Sequence, residues 1–142
     1  MIKLAPLVVF LILFSCGFSI SEKQLIKEFS EKDLQQLRKE FADDDFSPTI
    51  SKVKVGERDI QFASIDQGKD NLLIFIHGSP GSWDAFIDFF KNDSLLAIAD
   101  MVAIDRPGFG GSDGGWPEPS MARQSILIHE VTKKFPHRNQ IL

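Results

Sequence analysis

Five consecutive apolar residues, Leu72-Leu73-Ile74-Phe75-Ile76, run directly into His77-Gly78-Ser79-Pro80-Gly81. An apolar run without alternation, of strand length and stopped by a Gly/Pro turn, reads as a strand buried on both faces. Such a strand needs cover above and below, which argues against a helical bundle and against a sheet with one wet face. A second short run, Met101 to Ile104, leads into Asp105-Arg106-Pro107-Gly108-Phe109-Gly110-Gly111-Ser112. Between the two, Ser82 is placed to cap a helix whose core face is Trp83, Phe86, Ile87 and Phe90, at i, i+3, i+4 and i+7.

The flanking sequence extends the same pattern. Residues Ile50 to Val55 and Ile60 to Ile65 alternate around a Gly56-Glu57-Arg58-Asp59 turn, as a β-hairpin does. A Gly68-Lys69-Asp70-Asn71 turn precedes the buried run, a Gly- and Pro-rich loop fills 106 to 119, and a helix is expected over about Ser120 to Phe135. Gln140-Ile141-Leu142 looks like the start of one more strand. The expected fold class is α/β: a hairpin joined to largely parallel strands, with helices on both faces and the sheet incomplete. In open sheets of this kind, ligands bind at the C-terminal ends of the strands, where both glycine-rich loops fall.

The two loops, each on its expected element, resemble those of the α/β-hydrolase family, in which an HGxPG turn follows strand three and a DxPGxGxS loop follows strand four. The resemblance covers roughly residues 50 to 142, and it implies a strand order with strand three between strands four and five. It implies that the backbone N–H of Ser79 is an oxyanion-hole donor, on a scaffold of His77, Gly78, Pro80 and Gly81. A fixed N–H beside a helix start suits developing negative charge. Gly78 and Gly81 are expected to let backbone approach the substrate, and Pro80 to stiffen the turn. His77 is expected to lock the loop, and Arg106 to pair locally.

The family's nucleophile lies on a G-x-S-x-G elbow after strand five, followed by the acid and the catalytic His. None of the three matches a position here, so no catalytic residue is assigned. Gly110-Gly111-Ser112-Asp113-Gly114 fits G-x-S-x-G by letter, but it follows a loop and precedes Gly115-Trp116-Pro117, where an elbow needs a strand before it and a helix after it. His129 and His137 precede the nucleophile's place and do not fit the order. The implied activity is hydrolysis of a carboxylic ester or amide bond in a small-molecule substrate, without cofactor or metal. Relatives that act on epoxides or haloalkanes carry Trp or Asn where Ser79 stands, which favours esters and amides, and the HGGPG of proline iminopeptidases is close to His77–Gly81. The alternative is a non-catalytic protein that uses the half-fold as an interaction module.

Nucleotide readings fail. Asp113 stands where a dinucleotide fingerprint needs its third Gly, and no Gly-Lys-Ser/Thr follows a glycine loop. Sixteen basic against twenty acidic residues give a net charge of −4, so no basic surplus suits nucleic acid. The single cysteine, Cys16, can make neither an internal disulfide nor a thiolate cluster.

That cysteine closes an N-terminal pattern. Lys3 precedes an apolar run from Leu4 to Phe14, well short of the roughly 20 residues that span a bilayer. Leu13-Phe14-Ser15-Cys16-Gly17 resembles the lipobox of bacterial lipoproteins. It implies a signal peptide over 1–15, a lipid-modified Cys16 and a membrane-anchored protein in the cell envelope of a bacterium, facing outside the cytoplasm. Residues 16–46 are then an exposed, largely helical spacer, with Asp43-Asp44-Asp45 as a solvated linker, and 47–142 the partial hydrolase domain.

Overall fold

The computed structural model describes residues 31, 34–136 and 139–142. Residues 1–15, expected as a signal peptide, together with Cys16 and His137, lie outside them. The first buried run forms β3 (Asn71–Ile76) and the second β4 (Ala99–Ile104), paired in parallel with Leu73 opposite Met101 and Ile76 opposite Ile104. The hairpin forms β1 (Thr49–Val55) and β2 (Arg58–Ile65), joined by a two-residue turn. The chain's last strand, β5 (Asn139–Ile141), runs parallel to β3 and pairs with Asn71 to Leu73. The five strands lie in the order β1-β2-β4-β3-β5, with β3 between β4 and β5 as the family resemblance implies.

Strand β2 is the element whose place the alternation does not reveal. It pairs antiparallel with β1 on one side and β4 on the other, which buries Ile60, Gln61, Phe62 and Ala63 in succession. Strand β4 sits at the centre and is buried at every position, including Asp100. That aspartate extends the strand two residues beyond the apolar run. Its side chain accepts the N–H groups of Gln67 at 2.7 Å and Lys69 at 3.1 Å, so a buried acceptor anchors the turn that leads into β3.

Helices cover both faces. One core gathers Ile60, Phe62, Leu72, Ile74, Val102 and Ile104 of the sheet under Leu127, Val131 and Phe135. The long helix there has the expected bounds at its start, Met121–Thr132, with the Ser120 hydroxyl accepting the Arg123 N–H. The opposite core packs Ala63, Ile65, Met101 and Ala103 against Trp83, Phe90 and Leu96.

Two expectations are corrected on that second face. The segment after Ser82 is not one capped helix: a 3-10 turn, Trp83–Phe86, runs into a single helical turn, Ile87–Phe90, and a separate helix follows over Asp93–Ile98. The Ser82 hydroxyl bonds to the Asp84 carboxylate instead of a helix N–H, whereas Asn92 caps the following helix by accepting the Leu95 N–H. Nor is the stretch before residue 47 wholly an exposed spacer. Residues 34–40 are helical, and Phe41, just beyond, is 5% exposed and part of the core with Trp83 and Phe90. Lys91 lies over the Phe41 ring at 5.0 Å, bonds to the Glu40 carbonyl and pairs with Asp44 at 3.2 Å. An aromatic side chain with a cation on its face and a core beneath it is a docking point.

Phe41→Ala is therefore expected to cost about 3–5 kcal/mol, the usual range for emptying a buried Phe site. Leu34→Ala, at a half-exposed position, is expected to change stability by no more than about 0.5 kcal/mol. Urea unfolding of the full chain, followed by tryptophan fluorescence, measures both. Equal effects of the two substitutions would place Phe41 outside the core.

Candidate active site

Strands β3 and β4 end side by side, so their loops meet. Asp105, the first residue after β4, is fully buried. One carboxylate oxygen accepts the Trp83 N–H at 2.7 Å; the other accepts the Gly111 N–H at 2.9 Å and the Gln61 side-chain amide at 3.0 Å. Its backbone is held as well, with its N–H bonded to the Gln61 carbonyl and its carbonyl to the Ser112 hydroxyl. The glycines of this loop are there for contact. A Cβ on Gly110, whose φ is +52°, would lie 2.3 Å from the Asp105 carboxylate, and one on Gly111 would lie 2.1 Å from the Gln61 side chain.

Ser112 is fully buried. Its oxygen accepts the Gln61 N–H at 2.9 Å while its hydroxyl donates to the Asp105 carbonyl at 2.8 Å. A hydroxyl spent in both directions and shut from solvent serves the scaffold, in agreement with the reading that its G-x-S-x-G match is not an elbow. Asp113 accepts from Arg58 at 2.9 Å and from the Asp59 N–H. Arg58 also reaches the Trp116 carbonyl and Glu118, so one hairpin residue fastens the whole 113–118 stretch. His129 lies on the long helix, where its carbonyl accepts the Thr132 hydroxyl.

The His77-Gly78-Ser79-Pro80-Gly81 turn is locked from within. His77 is 4% exposed. Its Nε2 accepts the Arg106 N–H at 2.9 Å and its Nδ1 lies 2.6 Å from the Gly78 carbonyl. An acceptor nitrogen carries no proton in a neutral ring, so the proton sits on Nδ1. Burial holds this imidazole below its ordinary 6.5, and Arg106 acts in the same direction, against the Gly78 hydrogen bond and Asp84. Gly81 serves the ring more directly than a substrate, since an added Cβ would lie 3.1 Å from Nδ1. Gly78 has open space where a side chain would stand. Ser79 and the Ser79–Pro80 peptide, which is cis, lie on the exposed rim. Among the described residues, the Ser79 N–H finds no acceptor. Arg106 is held locally, as expected: its Nε donates to Gln124 at 3.1 Å and its guanidinium lies over the Phe109 ring at 5.2 Å.

Beside the turn is an open cleft of about 480 Å³, walled by Ile74, Ile76, Met121 and Ile128, with His77, Arg106 and Gln124 as its polar edge. The sequence reading did not foresee this cleft or the roles of Gln61 and Arg58. Neither carries a signal of its own: Gln61 reads as a polar member of an alternating strand and Arg58 as part of a turn.

A parallel pair of buried strands, each ending in a glycine loop that is fixed to its neighbour by a buried Asp and a buried His, defines a hydrolase-type α/β sheet. A family model described as alpha/beta hydrolase fold matches residues 71–139, the segment that carries both loops, and the chain has an alpha/beta-hydrolase-like fold. Solved structures agree on the fold. A membrane phospholipase A described as a bacterial virulence factor is 18% identical, with a TM-score of 0.56, over 91% of this chain and 39% of its own. The thioesterase domain of the curacin biosynthetic pathway is 18% identical (TM-score 0.56), over 68% of this chain and 35% of its own. The Cif epoxide hydrolase from Acinetobacter nosocomialis is 17% identical (TM-score 0.53), over 80% and 33% respectively. The chain thus spans between a third and two fifths of the length of these structures. No curated protein matches it in sequence.

Ser112→Ala is expected to destabilise the chain, because it strands the Gln61 N–H and the Asp105 carbonyl at about 1–3 kcal/mol each. A fluorophosphonate probe is expected to leave Ser112 unlabelled, as read by peptide mass spectrometry. Stoichiometric labelling there would make it a nucleophile.

Proposed function

We propose that this chain supplies the oxyanion-loop half of a hydrolase acting on carboxylic ester or amide bonds, including small peptides. The observation that carries the reading is the Ser79 N–H, which stands on the exposed rim with no acceptor among the described residues, beside a His77 ring whose two nitrogens are both engaged. An N–H fixed in position and left open is what a developing oxyanion requires, because it costs no reorganisation when charge appears. No serine nucleophile, acid or histidine is assigned within the matched residues 71–139, and the substrate is taken to be a small molecule. Ser79, in place of the Trp or Asn of relatives that open epoxides or haloalkanes, favours acyl transfer. Among proteins of similar fold, a phospholipase and a thioesterase bear names of that chemistry.

We also propose that the protein is held at a bacterial membrane through a lipid on Cys16. A short apolar run behind Lys3 and a lone cysteine at its end support it. Two or more acyl chains are what stable attachment takes.

The catalytic reading is tested on the gene product recovered from its native cells, assayed with p-nitrophenyl esters and aminoacyl anilides. Ser79→Ala keeps the backbone N–H and is expected to hold kcat within about threefold. Ser79→Pro deletes that donor and is expected to lower kcat by about 10²–10³-fold, the usual loss for one oxyanion-hole donor. Unchanged turnover by the proline variant would remove Ser79 from the oxyanion hole, and absence of any hydrolysis would favour an interaction module. Radiolabelled palmitate is expected to enter the wild type and not Cys16→Ser; equal labelling of both would end the anchor proposal.

A further inference from the structure

We infer that His77 is a positioning residue that ties the Ser79 turn to the Arg106 loop in one tautomer only, so that a proton arriving on Nε2 uncouples the two loops. Both ring nitrogens are committed: Nε2 accepts from the Arg106 N–H at 2.9 Å, and Nδ1 donates to the Gly78 carbonyl at 2.6 Å. The first bond crosses from the β4 loop to the β3 loop, and the second closes the β3 loop on itself. Protonation puts N–H on both nitrogens. At Nε2 a donor then faces a donor, and the cross-loop bond becomes a repulsion. The Gly78 bond survives the change, so the break falls selectively between the loops.

The ring has little room to turn away. It is 4% exposed, Gly81 leaves it only the space of a missing side chain, and the Phe109 ring meets it edge-on at 5.5 Å. The charged groups that act on it are Arg106, which opposes a proton, and Asp84 in the 3-10 turn, which favours one. Its other neighbours around the cleft are uncharged: Gln124 and Ser125 from the long helix, with Met121 and Ile128. Burial is the larger influence, and it favours the neutral ring. The folded ring therefore takes its proton at lower pH than the unfolded one, whose ordinary value is 6.5. The stabilising contribution is complete above that value and is lost as pH falls through the lower, folded value. The inference deepens the Ser79 reading, because the turn carries the proposed donor, but the coupling stands or falls without it.

The test is amide hydrogen exchange on the full chain, scanned downward from pH 8 and expressed as protection relative to intrinsic exchange. In the wild type, protection of the Arg106 amide is expected to fall by up to about tenfold per pH unit as pH drops below 6.5, and to level off once pH has passed below the folded value of the ring. The β1–β2 hairpin is the internal control and is expected to keep its protection. His77→Gln offers an amide oxygen where Nε2 stood and does not titrate, so its Arg106 protection is expected to stay level. A level wild type, or a glutamine variant that falls with it, overturns the inference. Should the variant fail to fold, nitrogen-15 shifts of the wild-type ring decide. The Nδ1–H tautomer at pH 8, giving way to imidazolium over the same range in which Arg106 loses protection, supports the inference; an Nε2–H tautomer, or imidazolium without loss of protection, overturns it. Loss of turnover in Ser79→Pro is independent of these readouts, so the two readings fail separately.

Discussion

The Asp105 carboxylate is a common partner for three parts of the chain. It takes one N–H from the start of the helical segment after the β3 loop, one from its own glycine loop, and an amide from β2. The Trp83 and Gln61 donors and the carboxylate itself are shut from water, where an unmet donor or carboxylate would cost several times what the bond returns. That asymmetry makes the arrangement close to all-or-none. With the carboxylate in place, the helix start, the loop and the central strand have fixed relative positions. Without it, two backbone N–H groups and a buried amide lose their common partner. His77 completes the frame from the β3 side by accepting the Arg106 N–H, on the residue next to Asp105. Two adjacent residues thus hold the neighbouring loop, one through its side chain and one through its backbone.

Most of this frame follows from sequence because its elements are strongly patterned. The unbroken Leu72–Ile76 run, the alternation at Ile50–Val55, the capping serine at 120 and the turn residues between them act locally, so they can be read locally. The loops carry their own signature, since glycines 110 and 111 stand where a Cβ would strike Asp105 or Gln61. What escapes a linear reading is pairing at a distance. Gln61 reads as the polar member of an alternating strand, yet it is 1% exposed because β4 closes over it and Asp105 receives its amide. The apolar run begins at Met101, yet β4 starts earlier and takes in Asp100, whose carboxylate accepts two backbone N–H groups.

The same limit explains the two corrected elements. Spacing at i, i+3, i+4 and i+7 records which side chains face the core, and Trp83 and Phe90 do face it. The spacing does not register that the backbone between them tightens and breaks, nor that Asn92 starts a new helix by accepting the Leu95 N–H. Phe41 lies in a charged stretch whose composition reads as solvated, and only the presence of Trp83, Phe90 and Lys91 beneath and beside it makes it core. Composition describes a segment; burial belongs to a pair of segments.

The strand order also has a consequence in time. β2 pairs with β4, not with β3, so the centre of the sheet cannot close until the whole of 66–98 has been made and β4 has followed it. On a ribosome adding about 5–20 residues per second, that interval lasts a few seconds, on the order of 2–7 s. Throughout it, the finished β1–β2 hairpin presents Phe62, Ala63, Ser64 and Ile65 as a strand edge with no partner, the type of edge to which other chains add. The centre of the folded sheet is thus joined only after β3 has been made, and the nascent chain is open to wrong partners at a strand that ends up enclosed between two others.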